Sequence, residues 1–264
     1  MSLIFLKLGG SLITDKDRPF TPRPDKLNLL ASEIASALRD DPDLQILLGH
    51  GSGSFGHAAA SRFDTRAGVS GAGNWQGFTE VWYQASALNR LVLDALRAAR
   101  LPTMTFSAAA SVTAHDGKVF IWDSYPIHVA LTNGLLPVVH GDVAFDEIRG
   151  GTILSTEDLF AHLALALHPQ RILLAGLESG VWADFPSRKQ LVKELTPGSV
   201  VQQDPILKGS VSTDVTGGML SKVSGMLDLV EQDPNLEICI FSGDKPGNLR
   251  RALQGENLGT CLHR

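Results

Sequence analysis

Cysteine, positive charge and long apolar runs are all scarce in this 264-residue sequence. Cys239 and Cys261 are its only cysteines, too few for a disulfide scaffold or a four-cysteine metal site, and this predicts a reducing, cytoplasmic setting. Lys and Arg number 23 against 28 Asp and Glu, which argues against a generally basic nucleic-acid binder. The longest apolar stretches run five or six residues, whereas a membrane span needs roughly 20. The N-terminus lacks the basic region of a signal peptide and is typical of a first strand.

Hydrophobic residues make up 44% of the chain, enough for a substantial core, and they alternate between strand-like and helix-like patterns. The helices are predicted at residues 25–39, 81–100, 155–167, 219–232 and 248–253. The strands are predicted at residues 3–8, 45–48, 103–106, 119–121, 136–139, 171–175, 237–241 and 260–262. Apolar strands separated by helices indicate an α/β fold with a mainly parallel sheet covered on both faces. Such sheets bind ligands at the carboxyl ends of their strands.

Glycine-rich segments stand next to predicted strands and helices at three places. The first is Gly9-Gly10-Ser11 after the first strand, the second is residues 51–57 after the second strand, and the third is residues 213–219 ahead of a helix. Glycine lets the backbone turn its N–H groups toward an anion, and a helix start adds partial positive charge. A single glycine after a strand usually only makes a turn. Three such loops at one sheet edge, each near a lysine, predict phosphate binding.

The second loop also contains G-x-G-x-x-G, the pattern associated with nicotinamide dinucleotides. Its glycines are Gly51, Gly53 and Gly56. That pattern needs a second strand ending in an acid about 20 residues further on, whereas residues 70–75 are predicted to form a loop. The Walker A pattern G-x-x-x-x-G-K-[ST] is absent from the sequence. A nicotinamide oxidoreductase is therefore a weak alternative, and a P-loop enzyme is disfavoured.

Lysines accompany the glycine loops. Lys7 lies in an apolar strand, where an ammonium needs an anionic partner, either a ligand or a carboxylate. Lys222 lies four residues after Gly218 near a helix start, where a cation opposes the dipole unless phosphate is held there. Lys16, taken alone, is typical of a solvated loop, and Lys208 is a weaker candidate for nucleotide contact.

Three acids and one histidine complete the set of candidates. Asp142 follows a predicted strand through Gly141, and Asp214 is placed to brace the third loop. Asp158 stands at a helix start, where an acid is most often a cap. His57 ends the second loop, where a histidine can face an anion. No nucleophile set of the Ser/His/Asp or Cys/His type can be argued from these positions.

In combination, these segments resemble the amino acid kinase superfamily, and within it the isopentenyl phosphate kinases. The resemblance covers nearly the whole chain through Lys7-Leu8-Gly9-Gly10-Ser11, residues 50–57, Gly141-Asp142, residues 152–155 and residues 214–222. The run Ser-Phe-Gly-His ending in His57 separates this branch from members that act on carboxylates, carbamate or uridylate. Ser52 and residues 177–182 depart from the family pattern.

The resemblance implies one domain over residues 1–264, a three-layer αβα open sandwich. Its acceptor-binding half would span about residues 1–168 and its ATP-binding half about residues 169–264. The implied activity is that of a phosphotransferase with a phosphate group as acceptor, converting isopentenyl phosphate to isopentenyl diphosphate in isoprenoid biosynthesis. ATP and Mg²⁺ are the implied cofactors, with Mg²⁺ bound mainly through the ATP phosphates. Homodimeric assembly is also implied, whereas a cytoplasmic location without membrane or nucleic-acid partners is expected from the composition.

The same resemblance assigns roles to individual residues. The expected catalytic residues are Lys7, Lys222, Lys16, His57, Asp142 and Asp158. Lys7 and Lys222 would stabilise the transferring phosphoryl group, Lys16 would assist at the γ-phosphate, and the two acids would orient the lysines and the glycine loops. Besides His57, the expected acceptor contacts are Gly9, Gly10, Ser11, Gly51, Ser52, Gly53, Ser54, Gly56 and Gly141. Besides the three lysines, the expected ATP contacts are Gly9, Gly176, Gly180, Asp214, Gly217 and Gly218.

A five-carbon acceptor also needs an apolar slot for its tail. The side chains at helical spacing after the second loop are Phe78, Trp82, Ala85 and Leu88, with Phe106 on the following strand. An ordinary core face of a helix explains this spacing equally well. We expect one or two of them to line the tail pocket, with Ala85 leaving room.

Two further alternatives use the same anion cradle. One is a kinase for another small phosphonate or phosphate, such as a fosfomycin-type antibiotic kinase. The other is a non-catalytic nucleotide sensor, against which the lysines argue. A phosphate monoester has a second pKa near 6, so its attacking oxygen needs no strong general base. His57 is therefore expected to bind and orient the acceptor and not to abstract a proton.

Overall fold

A computed structural model describes residues 2–63, 65–199 and 218–264 of the chain. Within these ranges the strands are β1 (Ser2–Leu8), β2 (Leu44–His50), β3 (Thr103–Thr105), β4 (Thr113–His115), β5 (Lys118–Ile121), β6 (Leu136–His140), β7 (Asp142–Asp146), β8 (Gly150–Leu154), β9 (Arg171–Gly176), β10 (Glu194–Leu195), β11 (Glu237–Ser242) and β12 (Thr260–Leu262). Eight of them form the main sheet in the order β10-β12-β11-β9-β1-β2-β6-β3. Its neighbours pair in parallel except β11 and β12, which are antiparallel. A smaller sheet has the order β5-β4-β7-β8.

The helices of the described part connect and cover these strands. They are α1 (Gly10–Ile13), α2 (Pro24–Asp40), α3 (Gly53–Phe63), α4 (Gly71–Ala98), α5 (Ala108–Ser111), α6 (Tyr125–Thr132), α7 (Thr156–Leu167), α8 (Gly218–Gln232) and α9 (Asn248–Leu253). None of these helices combines the length and apolar character required to cross a bilayer.

The central strands are apolar along their length because both faces of the sheet are covered. In β1, Leu6 packs on one face in a core that includes Leu30 of α2. Its neighbour Phe5 points to the other face and packs against Phe160 of α7, with ring centroids 5.1 Å apart. Burying each such side chain contributes about 1.5–3 kcal/mol. The predicted three-layer α/β fold with a mainly parallel sheet is confirmed.

The segment predicted as a loop at residues 70–75 is instead the start of a helix, because α4 begins at Gly71. Glycines and an asparagine lower the intrinsic helix propensity there. A tertiary contact overrides it, since the Trp75 ring centre lies 6.0 Å from that of Phe145 in β7; within the helix the same ring lies 5.2 Å from Phe78. A nicotinamide site is still disfavoured, because a helix, like a loop, does not supply the required second strand.

Candidate functional site

A cavity of about 260 Å³ lies at the carboxyl ends of β1, β2, β6 and β9. Twelve of the predicted site residues line it: Lys7, Gly9, Gly10, Ser11, Lys16, Gly51, Ser52, Gly53, His57, Gly141, Gly176 and Gly180. The fold thus brings together both N-terminal glycine segments, both N-terminal lysines and the glycines that follow β9.

The two N-terminal glycine segments touch each other, and this close approach requires glycine. A Cβ atom on Gly10 would lie 2.5 Å from the backbone nitrogen of Gly53, and one on Gly51 would lie 3.0 Å from the nitrogen of Gly10. Gly53 also has a φ of +51°, a conformation that favours glycine. Ser54, outside the cavity lining, braces the contact by donating its backbone N–H to Thr14 Oγ1 at 2.9 Å.

The start of α3 lies at the cavity, so part of the predicted second loop is the first turn of a helix. Gly53 begins α3 and His57 follows one turn later, while Gly56 lies outside the lining and packs against Ser52. The first residues of α7 line the same cavity. Helix N-termini present backbone N–H groups and partial positive charge, which favour an anion in the space between them.

Lys7 and Glu157 form an ion pair in the wall of the cavity. Both are largely buried, with 7% and 8% of their surface exposed, and the Lys7 ammonium contacts Glu157 Oε2. Burial of either charge alone would be costly, so each stabilises the other. Glu157 was not among the residues predicted from the sequence. The sequence indicates it only as a second acid, next to Asp158, at the start of a predicted helix.

Asp158 was expected to orient a lysine, but in the structure it does not pair with Lys7. Asp158 Oδ2 accepts hydrogen bonds from the backbone N–H and the hydroxyl of Ser155, both at 2.7 Å. These contacts form a capping box at the start of α7. The acid that orients Lys7 is therefore Glu157, because the capping geometry directs Asp158 back to its own helix.

Asp142 belongs to a buried polar cluster and lies outside the cavity lining. Its carboxylate accepts hydrogen bonds from Ser107 Oγ and Val143 N, both at 2.9 Å, and lies 3.5 Å from His140 Nε2. Burial raises the pKa of Asp142 to about 6, against the opposing effect of these hydrogen bonds. The assigned role of Asp142 in orienting lysines stays a prediction, and its described partners belong to this cluster.

Two histidines complete the buried cluster. His50, which ends β2, stacks on His140, with ring centroids 5.2 Å apart and planes inclined by 10°. His50 Nε2 lies 3.1 Å from Asn89 Oδ1. Burial lowers the pKa of both histidines, to about 3 for His140, where the neighbouring His50 also contributes. Both rings are therefore neutral at physiological pH.

The apolar residues expected at the acceptor tail lie elsewhere. Ala85 is fully buried in the protein interior, Trp82 is 44% exposed, and Phe78 packs in a small core between α4 and β7. Helical spacing identifies a buried face of α4, and that face packs on the sheets and not on the cavity. Ile153 and Leu154 of β8 line the cavity instead. They belong to the matching segment at residues 152–155, but they were not expected at the acceptor tail.

The other end of the cavity is built by the segment after β9 that departs from the family pattern. Glu178 accepts a hydrogen bond from Trp182 Nε1 at 2.9 Å and pairs with Arg188 Nη2 at 2.8 Å. The Arg188 guanidinium lies 5.3 Å from the ring centre of Phe185. All four side chains line the cavity. Flat apolar surface beside a guanidinium suits a nucleobase with an attached phosphate chain.

Several predicted ATP contacts fall in the part of the chain that is not described. Asp214, Gly217 and Lys208 lie outside the described residues, as do the side-chain contacts of Lys222. The helix predicted after the third glycine loop is confirmed, because α8 begins at Gly218.

Comparisons with known proteins agree with this fold. Residues 2–242 match the amino acid kinase family, and the chain belongs to that family. It is similar to the isopentenyl phosphate kinase of Methanothermobacter thermautotrophicus, with 34% identity over 97% of each chain. It is 31% identical to the isopentenyl phosphate kinase of Methanocaldococcus jannaschii over 98% of this chain and 97% of that protein. A crystal structure of an isopentenyl phosphate kinase has 31% identity and a TM-score of 0.83, covering 98% of this chain and 99% of that one.

Proposed function

We propose that this protein is an isopentenyl phosphate kinase, which transfers the γ-phosphoryl group of ATP to isopentenyl phosphate and releases isopentenyl diphosphate and ADP. The observation that carries the proposal is one cavity in which a glycine cradle with His57 and the segment after β9 flank Lys7. The similarity to isopentenyl phosphate kinases over nearly the full length supports the same substrate.

The acceptor phosphate binds between the touching glycine segments and the start of α3. Backbone N–H groups near Gly10 and Gly53 donate to its oxygens, and His57 adds a hydrogen bond from its ring. Because the monoester is largely dianionic at neutral pH, its oxygen is already a nucleophile. His57 therefore holds and orients the phosphate and removes no proton.

Transfer depends on placing two repelling anions in line and on neutralising charge at the transferring group. Lys7, held by Glu157, supplies a fixed positive charge at the middle of the cavity. Lys16, exposed on the loop after α1, reaches the γ-phosphate, and Lys222 adds a third cation from α8. The acceptor-binding half of the chain supplies the cradle, and the half after residue 168 supplies the nucleotide contacts.

Mg²⁺ enters on the ATP phosphates in this proposal. The carboxylates of the described cavity lining are Glu157 and Glu178, and each is already paired with a cationic side chain. The lining therefore fits a metal that is held by phosphate oxygens and not by a carboxylate cage. The bound ion would neutralise charge on the transferring group.

The five-carbon tail lies against β8. Ile153 lines the cavity and also packs on the small core that contains Phe78. An apolar wall beside the phosphate cradle excludes small polar acceptors, because their polar groups would lose water without gaining partners.

The direct test incubates the protein with isopentenyl phosphate, ATP and Mg²⁺ and identifies the product by mass spectrometry. The expected product is isopentenyl diphosphate, formed with one ADP per turnover. A parallel assay with fosfomycin as acceptor tests the remaining kinase alternative, which the same cradle could serve. Turnover of fosfomycin without turnover of isopentenyl phosphate would contradict the proposal.

Homodimeric assembly, implied by the family resemblance, and a cytoplasmic location, expected from the composition, both stay predictions. Sedimentation equilibrium of the purified protein tests the first, with twice the chain mass of 28.3 kDa expected. Fractionation of the source cells tests the second.

A further inference from the structure

The two cysteines, which lie 22 residues apart in sequence, meet on adjacent strands of the main sheet. Cys239 of β11 is the register partner of Cys261 of β12. Their sulfur atoms are 3.0 Å apart, against roughly 2.05 Å in a formed disulfide. Both residues are buried and both are free thiols. The pair lies outside the cavity lining and has no part in the proposed transfer.

The strand pairing puts the two side chains in the arrangement of closest approach. The backbone N–H of Cys261 donates to Lys193 O at 2.9 Å, on the side of β10, and so points away from β11. Cys239 and Cys261 are therefore a non-hydrogen-bonded antiparallel pair, for which Cα atoms are typically about 4.5 Å apart. That separation lies at the short end of the range that a disulfide can bridge.

A guanidinium beside the pair favours a thiolate. Arg171 Nη2 lies 3.3 Å from Cys239 Sγ, and Arg171 Nε donates to Glu237 Oε1 at 2.7 Å. The hydrogen bond between the two sulfurs lowers the pKa of Cys261 and raises that of Cys239, and the charge of Arg171 favours the thiolate of both. One sulfur is thus prepared as the nucleophile and its neighbour as the group that resolves the oxidised product.

A third potential metal ligand lies beside the two cysteines, because the Glu237 carboxylate and both sulfurs lie within 4.8 Å of one another. Arg171 already occupies this position, since it bonds both the Glu237 carboxylate and Cys239. A cation would have to displace the guanidinium from both ligands. The arrangement therefore fits oxidation of the thiols better than metal binding.

We propose that Cys239 and Cys261 form a site of reversible oxidation, in which a hydroperoxide converts the two thiols into a cross-strand disulfide that a dithiol reduces again. The Cys261 thiolate attacks the peroxide, which leaves as hydroxide and gives a sulfenic acid. The Cys239 sulfur then attacks the Cys261 sulfur, the S–O bond breaks, and the proton of Cys239 leaves with the oxygen as water. Two electrons pass from the protein to hydrogen peroxide, which is reduced to water.

Mass spectrometry of the full chain tests this directly. Fully reduced protein is treated with stoichiometric hydrogen peroxide, denatured and alkylated with N-ethylmaleimide. The expected product has lost two hydrogen atoms, carries no alkyl group on cysteine, and regains both thiols with dithiothreitol. Trypsin cuts at Arg250 and Arg251, between the cysteines, so the disulfide appears as two peptides joined until reduction.

Matched variants distinguish disulfide formation at this cysteine pair from non-specific oxidation of the protein. Cys239→Ser and Cys261→Ser each keep one thiol and should form no intramolecular link. Arg171→Gln removes the guanidinium and should slow disulfide formation by about tenfold, as a shift of about one pKa unit in the attacking thiol would. Arg171→Lys keeps the charge and should restore most of the rate.

Three outcomes would overturn the proposal. Wild-type protein whose two cysteines remain alkylatable at a peroxide dose that oxidises exposed methionine lacks the reactive pair. Links between chains, or a sulfinic acid on one cysteine, mean that the neighbouring thiol does not resolve the intermediate. Protection from alkylation by added Zn²⁺, with no disulfide after peroxide, assigns the cluster to metal binding instead.

Discussion

At the scale of single residues, the proposed role of His57 is to bind the acceptor phosphate and not to activate it. His57→Ala should raise KM for isopentenyl phosphate about 10- to 100-fold, since a hydrogen bond to a charged group contributes about 1.5–3 kcal/mol. KM for ATP should change little. Steady-state kinetics measures both, with His128→Ala on the surface of α6 as the control. A loss confined to kcat, with acceptor affinity untouched, would contradict a binding role.

Glu157 should contribute to the stability of the protein by neutralising the largely buried ammonium of Lys7. Glu157→Gln leaves the Lys7 ammonium largely buried without its carboxylate, which costs about 3 kcal/mol or more of unfolding free energy. Lys7→Met should also destabilise the protein, and the double variant should lose less than the sum of the two, because neither charge is then left alone. Urea unfolding of the four proteins measures this. If the losses in unfolding free energy of the two single variants add up to that of the double variant, the interaction between Lys7 and Glu157 does not contribute to stability.

Asp142 should make the folded protein less stable as the pH rises from about 4 to above 6. Its pKa is raised from 3.8 to about 6, so the ionised carboxylate destabilises the folded state above pH 6 and this cost disappears as the pH falls toward 4. Asp142→Asn should therefore gain stability relative to wild type at pH 8, by up to about 3 kcal/mol, and lose that advantage near pH 4.

Urea unfolding between pH 4 and 8 measures this difference. His140 titrates in the opposite sense, because its pKa is lowered to about 3, but it is present in both proteins. Asp228→Asn, on the exposed side of α8, is the control. A stability difference that does not change with pH would show that burial does not govern this carboxyl.

At the scale of elements, the contact between the turns after β1 and β2 decides whether the anion cradle closes. Gly10→Ala places a Cβ atom 2.5 Å from the Gly53 nitrogen, so α1 and α3 must separate. We expect a loss of about 1–3 kcal/mol in stability and a rise of roughly tenfold or more in acceptor KM, equivalent to about 1.4 kcal/mol.

The matched control for this change is Gly73→Ala. Gly73 lies in the first turn of α4, and no described atom lies within 4 Å of the place that its Cβ atom would take. This substitution should be neutral or stabilising by up to about 1 kcal/mol, because alanine restricts the unfolded chain. Equal effects of the two variants on acceptor KM would contradict the role of the glycine contact.

The helices and strands that were predicted well are those with a clear hydrophobic pattern along the sequence. The last helix and the last strand lie at the predicted residues, and the central strands differ by one or two residues at their ends. The hairpin of β7 and β8 and the two-residue β10 were missed. The two hairpin strands pair with each other and β10 has only two residues. Strand formation depends strongly on packing against cross-strand neighbours, so the local sequence gives a weak signal.

At the scale of the whole molecule, the cavity has two ends that different parts of the chain supply. Arg188→Gln, at the end formed after β9, should raise KM for ATP about three- to tenfold, within the 0.5–1.5 kcal/mol typical of one hydrogen bond. KM for isopentenyl phosphate should stay the same. The control is Arg250→Gln, which breaks a comparable exposed pair with Asp40 outside the cavity. A rise in acceptor KM alone would reverse the assignment of the two ends.

The sequence alone determined the alternation of strands and helices and the placing of glycines and lysines at strand ends. Both are local patterns, because periodicity and turn chemistry depend on near neighbours in the chain. From them, together with the family resemblance, followed the α/β fold, the edge of the sheet at which the cavity lies and twelve of the cavity-lining residues.

Only the tertiary structure decided which side chains share a surface. It paired Lys7 with Glu157 instead of Asp158, moved the apolar wall from α4 to Ile153, and set Cys239 against Cys261. Each of these contacts joins residues far apart in sequence. Their distances depend on strand order and on helix packing, and neither of these is encoded in the spacing of residues along a single segment.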